Sequence, residues 1–181
     1  MSIDLMLKAF DYIIQLLSRR EKIFEKRFNN LFLPIYGALE EINANYIKIY
    51  EDIYEILPSP FEKNKNIGQV CEKLKNARRI KSSERLEIVC LVEKIISTDN
   101  LSTKERDFLV SVMNYMKNGV LRPENKGNIT RSQKLLDRLY QAAFLLEEDD
   151  AWKIISECIE ENNYYWAIVS DKFFALKEEI K

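Results

Sequence analysis

The sequence predicts an all-α fold: an elongated helical bundle with two long antiparallel elements and about three shorter helices between them. Three observations predict it. Gly and Pro number only 4 each in 181 residues, too few to punctuate anything but a few long elements. Apolar residues recur at steps of three and four over long stretches, the spacing of one helix face. Leu, Ile, Glu and Lys fill the runs between turns and favour helix. Hydrophobic content of 46% and charged content of 31% are those of a globular chain. The length suits one helical domain spanning residues 1–181.

The first long element is expected from about Ile3 to Leu57. Its apolar positions are Ile3, Leu7, Phe10, Ile14, Leu17, Phe24, Phe28, Leu31, Ile35, Ala38, Ile42, Ile49 and Ile56. Glu21, Asn45 and Asp52 interrupt the seam, while Tyr46 and Ile53 stand one place after two of those gaps. Such drift arises when a 3.6-residue helix is read against a 3.5-residue repeat. Pro34 and Gly37 fall inside the element, yet Phe28, Leu31, Ile35 and Ala38 keep phase across them. Pro34 offers no N–H to the Asn30 carbonyl and crowds it, so the reading is a continuous helix kinked near Pro34. The alternative is a break at Leu33, with Pro34 at the first position of a new helix.

Pro58 and Pro60 end the element in an extended polar segment. A helix at about 67–80 would bury Val70 and Leu74. After "KSSE", Leu86, Val89, Cys90, Ile95 and Ile96 mark a helix to about Ser97. Ser102 and Glu105 have the spacing of a capping box. The helix they open carries Phe108, Leu109, Val112, Tyr115 and Met116, with Gly119 as its C-terminal stop. "GVLRPENKGNIT" is the longest loop, and Thr130 to Gln133 gives a second box. Leu135, Leu139, Ala142 and Leu146 form one stripe, and the pattern shifts at Asp149. A second stripe runs through Trp152, Ile155, Ile159, Asn162, Trp166, Val169, Phe173, Leu176 and Ile180 in unbroken steps of three and four. That regularity fits coiled-coil-like packing.

Chemistry is constrained by what the chain lacks. There is no His, which removes the commonest general base and metal ligand and every Ser-His-Asp or Cys-His arrangement. The four glycines form no phosphate-binding loop. The cysteines, Cys71, Cys90 and Cys158, are widely spaced and odd in number. They read as reduced, buried thiols rather than a disulfide framework or a zinc site. Paired acids such as Glu160/Glu161 point about 100° apart on a helix and read as a solvated face. No catalytic residue, cofactor, metal or small-molecule substrate is expected, and the chain is read as not an enzyme.

The N-terminus carries Asp4 and Asp11 and no basic run, unlike a signal peptide. No stretch of about 18 apolar residues suggests a membrane span. The expected location is cytoplasmic. The weight of Ile, Lys, Asn and Tyr is typical of AT-rich coding sequence, as in microbial or viral genomes.

Two binding candidates emerge. Net charge is −1 overall, but residues 1–57 carry −2, 58–146 carry +7 and 147–181 carry −6. Lys73, Lys75, Arg78, Arg79, Lys81 and Arg85 concentrate the positive charge around one helix end. They form a candidate nucleic-acid or phosphate patch, or else cations favoured at a helix C-terminus and neutralised by the acidic tail. Trp152, Ile155, Ile159, Asn162, Trp166, Val169 and Phe173 form a candidate protein interface. Tyr164, Tyr165, Trp166, Phe173 and Phe174 cover more than one face of that helix, so it would be buried on two sides, in the core or against a second subunit. Asn162 in the seam has the place of a register-setting polar residue. The expectation is a non-enzymatic interaction or scaffold protein, a homo-oligomer or a subunit of a larger complex. The alternative is a nucleic-acid-associated accessory protein using residues 73–85.

Overall fold

The computed structural model describes residues 23–56, 71–73, 75, 76, 79, 82–98, 100–117, 137–138 and 149–180. Among them every regular element is helical: α1 (Ile23–Arg27), a π-helical turn (Phe28–Phe32), α2 (Leu33–Ile56), α3 (Ser82–Ile96), α4 (Thr103–Lys117), α5 (Asp149–Lys177) and a closing 3-10 turn (Glu178–Ile180). The helix expected at 67–80 is described in part, as helical residues 71–73, 75, 76 and 79. The expected start near Ile3, the loop after Gly119 and the box at Thr130 lie outside the described residues.

The expected kink at Pro34 takes the form of a widened turn. The Leu33 N–H donates to the Phe28 carbonyl, five residues back. A π turn of this kind accommodates one extra residue and moves the Asn30 carbonyl off the Pro34 ring, which would clash with it in a regular α-helix. The helix therefore continues from α1 into α2 as one joined rod.

Buried positions along this rod are Phe28, Phe32, Ile35, Leu39, Ile42, Tyr46, Ile49 and Ile53, alternating by four and three. Leu39, fully buried, replaces the expected Ala38, which is half-buried. Tyr46 and Ile53 carry the seam that Asn45 and Asp52 seemed to break. On α3 Ile95 is buried as expected and Val89 and Ile96 are half-buried, but the rest of the stripe shifts by one residue or more. The buried stripe runs Arg85, Ile88, Val92 and Ile95, while Leu86 is 62% exposed and Cys90 is exposed. The stripe of α4 falls where the sequence placed it, with Phe108, Leu109, Val112, Tyr115 and Met116 all buried.

The capping box at the start of α4 forms as expected. The Ser102 N–H donates to Glu105 Oε2 at 2.7 Å, and the Glu105 N–H donates to Ser102 Oγ at 3.2 Å. Across the turn, Arg106 reaches the Ile96 and Thr98 carbonyls at 3.3 and 3.5 Å, satisfying groups left open at the end of α3. Lys117, in the last turn of α4, pairs with Glu93, in the last turn of α3.

Contacts between distant residues fix the helix directions. Phe28 meets Phe173, Tyr36 meets Trp166, and Asn43 meets Asn162, so the rod and α5 are antiparallel. Phe32 meets Phe108 and Tyr46 meets Tyr115, so the rod and α4 are parallel. Arg27 reaches Asn100 while Arg85 covers Tyr46, so α3 descends beside the rod. The result is a bundle of α2, α3, α4 and α5 running up, down, up and down. Its core is aromatic at one end, around Phe32, Phe108 and Phe173, and mixed at the other, around Tyr50, Ile53 and Ile155.

Candidate functional site

The candidate interface on α5 is mostly consumed inside the chain. Ile155 and Val169 are fully buried, Asn162 is 1% and Phe173 3% exposed, and Ile159 and Trp166 are half-buried. Trp152 lies on α5, with its side chain outside the described residues. The buried apolar residues of this face belong to the core of the bundle. The surplus of aromatics noted in the sequence resolves differently: Tyr164 is 63% and Phe174 52% exposed, on other faces of the same helix. On the rod, Leu33 and Ile47 are also exposed. Phe174 borders Tyr36 at 6.1 Å between ring centroids, and Leu33 lies one turn before Tyr36.

The candidate basic patch is divided. Lys73, Lys75 and Arg79 are exposed on helical residues. Arg78 and Lys81 lie outside the described residues. Arg85 does not belong to an exposed patch: it is 6% exposed, with its guanidinium 5.3 Å from the centroid of the Tyr46 ring. Arg85 lies three residues before Ile88 on the inner stripe, and a planar, weakly hydrated guanidinium on an aromatic face tolerates that burial.

Two polar clusters occupy the interior; the sequence points to Asn162 in one and to the Glu105 cap in the other, but not to their partners Asn43, Tyr115 and Arg27. One is a triangle at mid-bundle. The Asn162 amide donates to Asn43 Oδ1 at 2.9 Å, and the Tyr115 hydroxyl lies 3.0 Å from Asn43 Oδ1 and 3.4 Å from Asn162 Oδ1. Three helices contribute one residue each, and all three residues are buried. Amide and phenol groups arranged this way hold position; none is an activated nucleophile or a general base. The other cluster is at the hairpin end. Arg27 Nε lies 3.0 Å from Glu105 Oε1, and Arg27 Nη1 donates to the Asn100 carbonyl at 3.0 Å. Glu105, fully buried, thus caps α4 and anchors the rod to the turn before it.

Titratable groups elsewhere are moved by ordinary causes. Burial pushes the Cys71 thiol up, with Lys75 working against it. A hydrogen bond to Glu157 raises Arg138, against the opposing effect of burial. Among the described residues no group of three or more His, Cys, Asp or Glu could hold a metal ion, and no helix is long and apolar enough to cross a membrane. No family model, curated protein or solved structure matches the chain.

Proposed function

We infer that the chain is a non-enzymatic helical interaction protein, acting in the cytoplasm as a homo-oligomer or as a subunit of a larger complex. The observation that carries this reading is the exposure of Tyr164 and Phe174 on α5 and of Leu33 on the rod, outside a seam that the chain already fills. Large aromatics on an outer helix face are the usual anchors of protein contacts. The interior polar groups support the same reading, because their geometry positions helices and offers no reacting atom.

The test is affinity capture from the native cell, with and without nuclease, using wild type and Tyr164→Ser/Phe174→Ser. A stoichiometric protein partner or second copy that survives nuclease and is lost in the double variant is expected. Capture unchanged by the double variant would defeat the assignment of this face.

A second reading is nucleic-acid association through Lys73, Lys75 and Arg79, whose exposure favours it. It predicts recovery that collapses after nuclease, binding that weakens steeply with salt, and loss on Arg78→Glu/Arg79→Glu.

A further inference from the structure

The Asn43–Tyr115–Asn162 triangle is satisfied in one axial register of the long helices, whereas the apolar seam around it is not so restricted. The buried positions of the rod and of α5 advance by three and four residues. Such a seam repeats after seven. Sliding α5 along the rod by seven residues would bring apolar residues back opposite apolar residues over most of its length. It would also carry Asn43 opposite Ile155 or Val169, which offer an amide nothing, and move Asn162 out of reach of Tyr115. A buried polar group without a partner is strongly disfavoured, whereas a satisfied one adds little over an apolar residue of the same shape.

The placement of the triangle reinforces this. Asn43 is near the middle of α2 and Asn162 near the middle of α5, so a slip in either direction breaks it. We propose that this triangle is the register lock of the bundle: it contributes little net stability and acts by excluding slipped pairings of the two long helices. A fixed register keeps the outer faces of the rod and α5 in one constant alignment.

The test replaces the whole triangle, N43L/Y115F/N162L, and reads thermal unfolding together with the tryptophan indole resonances. The chain has two Trp, so a single register gives two indole cross-peaks in a nitrogen–proton correlation spectrum. The triple variant is expected to unfold cooperatively at a Tm no lower than wild type and to show more than two indole cross-peaks, or exchange-broadened ones. Two sharp cross-peaks would overturn the proposal, because the apolar seam would then set the register alone. Overpacking is separated by N43V/Y115F/N162V, which adds less volume and leaves no tyrosine hydroxyl behind. If only the leucine variant fails to fold, the valine variant is read in its place by the same criteria. Failure of both to fold overturns the proposal, since the triangle would then be a stability element.

Discussion

The rings of Tyr36 and Phe173 stack face to face, with centroids 3.9 Å apart and planes within 6° of parallel. Around this pair the aromatic end of the bundle converges. Phe173 meets Phe28 at 5.4 Å and Phe108 at 5.7 Å, and Tyr36 meets Trp166 at 5.5 Å. The Tyr36 hydroxyl lies 3.3 Å from Ser170 Oγ. One ring from the rod and one from α5 thus tie together residues 137 positions apart in the chain, and α4 closes over them with Phe108.

Truncation of Phe173 removes a ring packed on three sides. Phe173→Ala is expected to cost about 3–5 kcal/mol, the range for a large buried aromatic. Tyr36→Phe keeps the stack and loses only the partly buried hydroxyl contact, so it should cost about 1 kcal/mol or less. Urea unfolding of the two variants distinguishes them. Equal losses would show that the hydroxyl, and not the stack, holds this end together.

The buried carboxylate of Glu105 is balanced by Arg27. Arg27→Ala leaves that charge uncompensated and is expected to destabilise by about 3–5 kcal/mol. Ser102→Ala removes only the cap and should cost about 1 kcal/mol. The Arg27→Ala/Glu105→Leu pair is expected to recover most of the loss, because the charge is then gone from both sides. Denaturation of the three variants checks the order. A double variant as unstable as Arg27→Ala would mean that Arg27 acts through packing alone.

The parts of this fold that follow from local sequence were legible, and the parts set by distant partners were not. Ser102 and Glu105 lie three residues apart, and their mutual capping needs nothing else. The α5 stripe was readable from its unbroken spacing, but its burial within the chain was not, because an apolar face looks the same whether it meets its own chain or another. Asn43 follows Ile42 and reads as a polar flank; its role comes from Asn162, 119 residues away. Leu39 was passed over for Ala38 because an ideal repeat drifts against a real helix over this length. Arg85 carried a usable signal: with Ile88, Val92 and Ile95 it completes a stripe of three, four and three. Its charge drew it into the basic run instead.

The cysteines should separate by reactivity. Cys90 is exposed, while Cys71 and Cys158 are buried, and burial raises the Cys71 pKa. At neutral to mildly alkaline pH, one thiol per native chain is expected to react quickly with a disulfide reagent. Peptide mapping should place it at Cys90, with the other two reacting on unfolding. A raised thiol pKa also fixes a sign. Its stabilising contribution is complete below the unfolded-state value, about 8.5, and is lost as pH rises through the folded one. Cys71→Ala should therefore show a flatter loss of stability above that pH than wild type. Rapid modification of Cys71 in the native protein would contradict its burial.

The π turn at Phe28–Phe32 makes the sharpest prediction about the backbone. Its extra residue and Pro34 compensate each other: the wide turn makes room for the ring, and the ring disfavours a regular turn. Asn30 is exposed within the turn, so removing it shortens the turn without emptying a core position. Deletion of Asn30 alone would force an α turn against Pro34 and should cost about 3 kcal/mol or more. Deletion of Asn30 together with Pro34→Ala removes both halves of the conflict. That variant restores the missing N–H and keeps Phe28 and Ile35 facing the core, because an α turn then spans the same rotation with one residue fewer. It is expected to unfold at a Tm no lower than wild type, with unchanged helical circular dichroism. A combined variant as unstable as the simple deletion would show that the core requires the wide turn itself, and that Pro34 is tolerated there without being its cause.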